Sequence, residues 1–382
     1  HGHLIGYSQM PHIFEDEADR LELIEQAVNQ TPSYALDYKS KEAKEQKNYR
    51  YRVIKFISDI KRNLISESGL SERTSDDNLI LLYQNYQDIL HSQNAIDFDD
   101  LLLMAHTLLV NNSKIAELYR RSFYAICIDE AQDLNFAQYQ FLLALVNDEI
   151  TNVMMVGDPN QSIYHFNGSS PEYMNENFVH DFEPIVIELH ENYRSSKSVL
   201  EAARKIVPDA EDIAHTVKEG IFEIHSFADE ENEAKWVVEK INELISQQKY
   251  ADIEGQITFE KIAVLARNKY IFNQLETQLK EANLPHYYKM TLGSIRFESD
   301  LMNIFDLALR VKLNPQDNLH KIRLFDRLDL EATNQQGLDH IAPLITNELN
   351  SALVRLVIAL RDDGGDFIND YCLFNQDKHA IF

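Results

Sequence analysis

Ala125-Ile126-Cys127-Ile128-Asp129-Glu130-Ala131-Gln132-Asp133 decides the reading of the chain. Four apolar residues run without alternation and stop at two carboxylates. A strand with one wet face alternates apolar and polar residues, so a short unbroken apolar run predicts a strand covered on both faces. The pattern returns twice, as Val153-Met154-Met155-Val156 before Gly157-Asp158 and as Ile185-Val186-Ile187 before Glu188. Helical stretches separate the runs, which predicts a parallel sheet in an α/β fold. A second set, Ile221 to Phe227 and Ile262-Ala263-Val264-Leu265-Ala266, brackets an amphipathic helix near Trp236 to Ile245. Another helix over Phe272 to Glu281 ends before Pro285, and two α/β units in tandem are the expectation.

Helices dominate on either side. Leu21, Ile24, Ala27 and Val28, then Val53, Ile54, Phe56, Ile57, Ile60 and Leu64, recur at three-to-four spacing. Pro32 divides the two segments, and beyond about Gly293 the chain again reads as helical, with Gly364-Gly365 as a loop. The run Asp229-Glu230-Glu231-Asn232-Glu233 suits a helix N-terminus, where carboxylates meet the positive end of the dipole.

Composition narrows the classes. The 382 residues are 44% hydrophobic and 26% charged, a globular balance that excludes a disordered polymer. Cys127 and Cys372 form no CxxC pattern, so a disulfide scaffold and a zinc ribbon are excluded and a reducing cytoplasm fits best. No apolar run approaches the roughly 20 residues of a membrane-spanning helix. The formal charge of −26 opposes indiscriminate binding to phosphate backbones, and any nucleic-acid surface has to be a local basic patch. Lys39 to Arg62 is such a patch, with nine basic residues (Lys39, Lys41, Lys44, Lys47, Arg50, Arg52, Lys55, Lys61, Arg62) against Glu42, Glu45 and Asp59. Tyr34, Tyr38, Tyr49 and Tyr51 interleave with it, which suits phosphates and bases; a solvated helix face reads equally well.

In open α/β sheets the carboxyl ends of the strands are where ligands bind, and Asp129-Glu130 sits at one. A carboxylate there suits Mg²⁺, and a second beside it suits orienting a water for attack on a phosphate. Capping of the following helix is the alternative.

Asp-Glu-Ala-Gln-Asp at 129–133, Gly-Asp-Pro-Asn-Gln-Ser-Ile-Tyr at 157–164 and Glu-Asn-Tyr-Arg-Ser-Ser at 191–196 resemble motifs two, three and four of the UvrD/Rep-type superfamily 1 DNA helicases. Ile96-Asp97-Phe98-Asp99-Asp100-Leu101 and Ile262 to Arg267 support the resemblance, which covers most of residues 91 to 317. It implies tandem RecA-like P-loop NTPase domains with helical insertions, both incomplete. Residues 1–91 would be the first insertion, 92–200 the first core, 201–290 the start of the second core and 291–382 the start of the second insertion. It implies ATP and Mg²⁺ as cofactors, with Asp129 on the metal, Glu130 as the base, Gln161 sensing the γ-phosphate, Tyr193 on the adenine and Arg194 as the cationic finger. Tyr164 and Phe166 would stack on bases of single-stranded DNA, and Lys39, Lys41, Lys44, Lys47, Arg50 and Arg52 would meet a duplex junction. Many members of the family carry Trp and Arg where this chain has Phe166 and Asn167.

No Gly-x-x-x-x-Gly-Lys-Ser/Thr loop occurs among the 11 glycines, and the family's late motifs are not found before Phe382. An internal piece of a larger helicase, inactive alone, is the expectation. Two rivals remain: a catalytically silent scaffold that binds a protein partner through its acidic surface, and a DNA-stimulated ATPase that translocates without unwinding. His1-Gly2-His3, without a carboxylate or cysteine in support, reads as no metal site.

Overall fold

In the computed structural model the described residues are 1–7, 10–14, 16–146, 152–207, 213–214, 218–247, 255–287, 299–330 and 337–360. Strand β1 (His12–Phe14) leads into helices α1 (Glu17–Gln30), α2 (Pro32–Ser40), α3 (Ala43–Arg62), the short α4 (Leu70–Arg73) and α5 (Asp77–Ser92). Strand β2 (Ala95–Asp97) then returns to pair in parallel with β1, Ile13 opposite Ile96. The three-to-four spacing read from the sequence is the buried seam of this layer. Leu23, Ile24, Ala27 and Val28 of α1 meet Val53, Ile57 and Ile60 of α3 and Leu82, Tyr86 and Leu90 of α5, each almost fully buried. Each large side chain so buried contributes about 1.5–3 kcal/mol of transfer free energy.

Helix α6 (Phe98–Asn111) starts directly from β2, because Asp97 caps it: its side chain accepts from the Asp100 N–H, and Asp100 accepts from the Asp97 N–H. After α7 (Ser113–Ser122) come β3 (Ile126–Ile128), α8 (Phe136–Leu145), β4 (Val153–Met155) and α9 (Phe178–Phe182). The β3 and β4 strands pair in parallel, Cys127 opposite Met154. Ile126, Ile128, Val153 and Met155 pack on Tyr139, Leu142 and Phe178. Cys127 and Met154 point the other way and are exposed. The unbroken apolar run therefore corresponds to a pair with one covered face among the described residues, since neighbouring side chains on a strand take opposite faces.

The chain divides by its contacts into two units, residues 1–182 with those from 292 onward, and residues 183–291. The division falls at Phe182/Glu183, ahead of the boundary expected at 200. In the second unit, β5 (Glu191–Asn192) pairs in parallel with β6 (Ile213–Ala214), followed or accompanied by α10 (Lys197–Arg204), α11 (Glu230–Gln247) and α12 (Phe272–Glu281). Ala234, Val238 and Ile241 pack against Leu275 and Leu279. Both helices, and the acidic start of α11, lie where the sequence places them. The three expected strands at 185–187, 221–227 and 262–266 do not form. Ile185, Ile224 and Leu265 are exposed, and a strand needs a neighbour for its backbone N–H and C=O groups that no described segment supplies here.

Helices α13 (Asp300–Leu313), α14 (Asn318–Arg327), α15 (Leu338–Ile341) and α16 (Glu348–Ala359) share a core around Leu307, Phe325, Ile341 and Val354. They belong to the first unit by contact. Leu319 enters the α1–α5 core, Asn314 Nδ2 donates to the Gln93 carbonyl at 2.8 Å, and Arg323 pairs with Asp19 and Glu22 of α1. Residues 361–382, including Gly364-Gly365 and Cys372, lie outside the described residues.

Candidate functional site

At the end of β3 the backbone turns sharply, and Glu130 takes a left-handed conformation with φ of 50°. Such a φ costs a residue with a side chain on the order of 1–3 kcal/mol and gathers where function fixes geometry. Capping of the next turn does not explain these carboxylates. Asp129 Oδ1 accepts the Glu130 N–H at 2.9 Å, and Glu130 makes no side-chain cap to the short Ala131–Asp133 turn. Both carboxylates are exposed at the strand end.

Gln132, 2% exposed, connects this turn to the next strand. Its Nε2 donates to Glu130 Oε2 at 2.7 Å, and its Oε1 accepts the Asp158 N–H at 3.1 Å. Asp158 Oδ2 in turn accepts from Gln161 Nε2 at 2.8 Å, while Asp158 Oδ1 holds the Asn160 N–H at 2.9 Å. Glu130, Gln132, Asp158 and Gln161 thus form one hydrogen-bonded chain across the ends of β3 and β4. Gly157 makes the close approach possible, because a Cβ there would stand 2.5 Å from Gln132 Oε1 and 2.9 Å from Met174 Sδ. The sequence pattern assigns Gln132 no role. A glutamine between two polar strand ends carries no signal of burial, so its linking part is visible only in the structure.

Beyond Gln161 the same loop presents Tyr164, 44% exposed, and Phe166, 74% exposed, with ring centroids 5.9 Å apart. Neither is a core residue. The loop is pinned by Ser170 N–H to the Leu134 carbonyl at 3.0 Å and by the bridge of Asn135 to Ser169. Tyr164 borders an open groove of about 510 Å³ with Phe98, Leu101, Arg62 and Asn167. Phe98, the first residue of α6, is 62% exposed, and the sequence pattern that contains it assigns it no role. Arg62 donates through Nε to Asp99 Oδ1 at 2.8 Å and through its NH1 nitrogen to the Asn167 carbonyl at 3.3 Å, so the end of α3 touches the loop.

The basic stretch separates into two sets. Lys41 pairs with Asp37, Arg50 with Glu25, Arg62 with Asp99, and Lys61 is fully buried between Asp97 and Asp100. Lys39, Lys44, Lys47, Arg52 and Lys55 are exposed. Lys44, Lys47, Tyr51 and Lys55 follow one another at helical spacing along one face of α3. Lys47 lies over the Tyr51 ring and Arg52 over the Tyr49 ring, at 5.9 and 5.5 Å. Tyr38 is core.

In the second unit, Asn192 Oδ1 accepts the N–H groups of Arg194 and Ser195 at 3.0 and 2.8 Å and shapes the turn that carries Tyr193 and Arg194. Tyr193 is 69% exposed, and its hydroxyl donates to the Glu191 carboxylate. The Arg194 guanidinium is exposed and pairs with no carboxylate among the described residues.

The strand-end carboxylates, the glutamine that links them and the exposed aromatic faces lie in a chain that two family models match. Residues 1–183 match the UvrD/REP helicase N-terminal domain, and residues 187–375 match the UvrD-like helicase C-terminal domain. The ATP-dependent DNA helicase UvrD1 of Mycobacterium leprae is 31% identical over 292 residues, 71% of this chain and 36% of that protein. The ATP-dependent DNA helicase Rep of Buchnera aphidicola subsp. Acyrthosiphon pisum is 30% identical over 276 residues, 69% of this chain and 40% of its own length. The chain belongs to the UvrD/Rep family of superfamily 1 helicases. It spans roughly two fifths of the length of these curated relatives. No described helix is long and apolar enough to cross a membrane.

Proposed function

We propose that the protein to which these residues belong is an ATP-driven translocase that moves on single-stranded DNA and separates strands. Its two units are read as parts of RecA-like cores carrying helical insertions. One observation carries this reading: a hydrogen-bonded chain from Glu130 through Gln132 and Asp158 to Gln161, continued by the aromatic pair Tyr164 and Phe166 on the same loop. Asp129 has an exposed carboxylate oxygen free of the turn, which fits a hard cation such as Mg²⁺ held in part through water. Bound there with ATP, the ion would supply charge neutralisation at the phosphates. Glu130, oriented by the Gln132 amide, would hold and deprotonate the attacking water. Gln161, at the far end of the chain, would report the γ-phosphate, since its amide both donates and accepts. Tyr193 would offer its exposed face to the adenine, and Tyr164, Phe166 and Phe98 theirs to DNA bases.

Gln161 and Phe166 separate the two jobs of the loop. In the full-length protein Phe166→Ala should keep ATP binding and lose base stacking, on the order of 1–3 kcal/mol, so that unwinding and DNA stimulation fall together. Gln161→Ala should keep DNA binding without nucleotide and lose hydrolysis. Equal DNA-binding defects without nucleotide in both variants would end this division of labour.

The exposed face of α3 gives a second measurement. Reversing Lys44, Lys47 and Lys55 to Glu should weaken binding to a single-strand/duplex junction. The slope of log affinity against log salt should flatten by about one for each phosphate that is no longer neutralised. An unchanged slope would make this a solvated face. Lys61 is unsuited to the test, because its charge is already spent inside the protein.

A further inference from the structure

His12, Asp317 and His320 come from opposite ends of the sequence and converge where β1 meets the start of α14. Each offers a ligand atom, and these atoms lie within 4.8 Å of one another. Asp317 is fully buried and His320 is 2% exposed. Nδ1 of His320 lies 2.7 Å from Asp317 Oδ2, and its Nε2 lies 3.3 Å from Asp19 Oδ2. Asp317 also caps α14, accepting the His320 N–H at 3.0 Å through Oδ1. The ring of Phe14 stacks on that of His320, so one side of the cluster is apolar.

Two carboxylates satisfy His320, and that arrangement could stand alone as an ion-pair network. It has no use for His12. Nε2 of His12 is enclosed and has neither a donor nor an acceptor, although its ring is edge-on to that of His320 with centroids 6.2 Å apart. A buried imidazole nitrogen left unmatched is costly, and such groups call for a water, an ion or a chemical role.

We propose that His12, His320 and Asp317 form a binding site for one divalent transition-metal ion of the zinc type on the Nδ1 side of His320, with Asp19 holding the opposite ring nitrogen and orienting the imidazole. Two imidazoles and a carboxylate are a donor set that suits Zn²⁺ and its neighbours in the first transition row and not Mg²⁺, which prefers oxygen alone. Arg323, paired with Asp19 and Glu22, borders the site, and the carboxylates offset its charge. The effect of the ion is structural: it ties the start of α14 to β1, from the opposite end of the sequence.

The test uses the full-length protein, stripped with EDTA and kept in excess Mg²⁺ to occupy oxygen sites. Titration with Co²⁺ should give one saturable visible absorption band per chain, displaced by Zn²⁺, and Zn²⁺ should raise the melting temperature. His12→Gln and Asp317→Asn should each weaken Co²⁺ binding by about ten-fold or more. The melting of each stripped variant is its own reference, so lost folding is not mistaken for lost binding. His12→Gln tests the claim most directly, because the ion-pair network does not involve His12. Absence of a saturable band in the wild type, or a band of unchanged affinity in His12→Gln, would overturn the proposal.

Discussion

Arg194→Ala in the full-length protein is expected to lower the DNA-stimulated kcat for ATP by about 10³-fold or more, the scale found when a cation facing a transferring phosphoryl group is removed. That is about 4 kcal/mol of transition-state stabilisation. The expectation rests on a guanidinium that is exposed, unpaired with any described carboxylate, and carried on a turn fixed by Asn192. ATP binding should change little, because Tyr193 and its own contact to Glu191 remain. Arg194→Lys should recover only part of the loss, since an ammonium is a point charge without the planar fork. The measurement is single-turnover hydrolysis beside equilibrium nucleotide binding. A kcat within ten-fold of wild type, or a loss confined to KM, would return Arg194 to an ordinary surface cation.

Local patterns are legible in the sequence, and the meeting of distant segments is not. The α1 and α3 seams follow three-to-four spacing, α11 and α12 lie where periodicity and the acidic run place them, and β3 and β4 occupy the first two apolar runs. The runs at 185–187, 221–227 and 262–266 have the same composition and form no strand, because composition does not specify a pairing partner. Site residues divide in the same way. Asp129, Glu130 and Gln161 stand out through their position after strands. Gln132, which links two of them, and Phe98, which borders the groove, depend on what the chain brings alongside. The basic stretch misleads most, since Lys41, Arg50, Lys61 and Arg62 count as positive in sequence and are neutralised in the fold.

Lys61→Met is expected to be the most destabilising single change, by about 3–5 kcal/mol, because it leaves buried carboxylates without their cation. Nζ of Lys61 stands 2.8 Å from Asp97 and 2.7 Å from Asp100, and all three side chains are essentially inaccessible to water. Tyr86 donates to Asp97 at 2.9 Å, and Arg20 reaches the same carboxylate at 3.5 Å. Burial alone would raise the pKa of Asp97, but Lys61 and Arg20 outweigh it and hold the carboxyl well below the usual range. Asp100 goes the other way, raised by burial and by Asp97 beside it. A depressed carboxyl contributes stability above its unfolded pKa of about 4 and loses it as pH falls through the folded value. Chemical denaturation should therefore show the deficit of Lys61→Met in full near pH 7 and shrinking as acid protonates Asp100 first. Lys61→Met/Asp100→Asn should recover at least about 1 kcal/mol, since it removes one unpaired charge and keeps an oxygen for the α6 cap. A deficit below about 1 kcal/mol, or one that does not change with pH, would mean that water reaches these groups. The cluster also sets the end of α3, and Arg62, the next residue, reaches Asn167 beside the exposed aromatics. DNA binding by a Lys61→Met protein that still folds at low temperature should weaken as well, linking the buried charge to the loop that meets the strand.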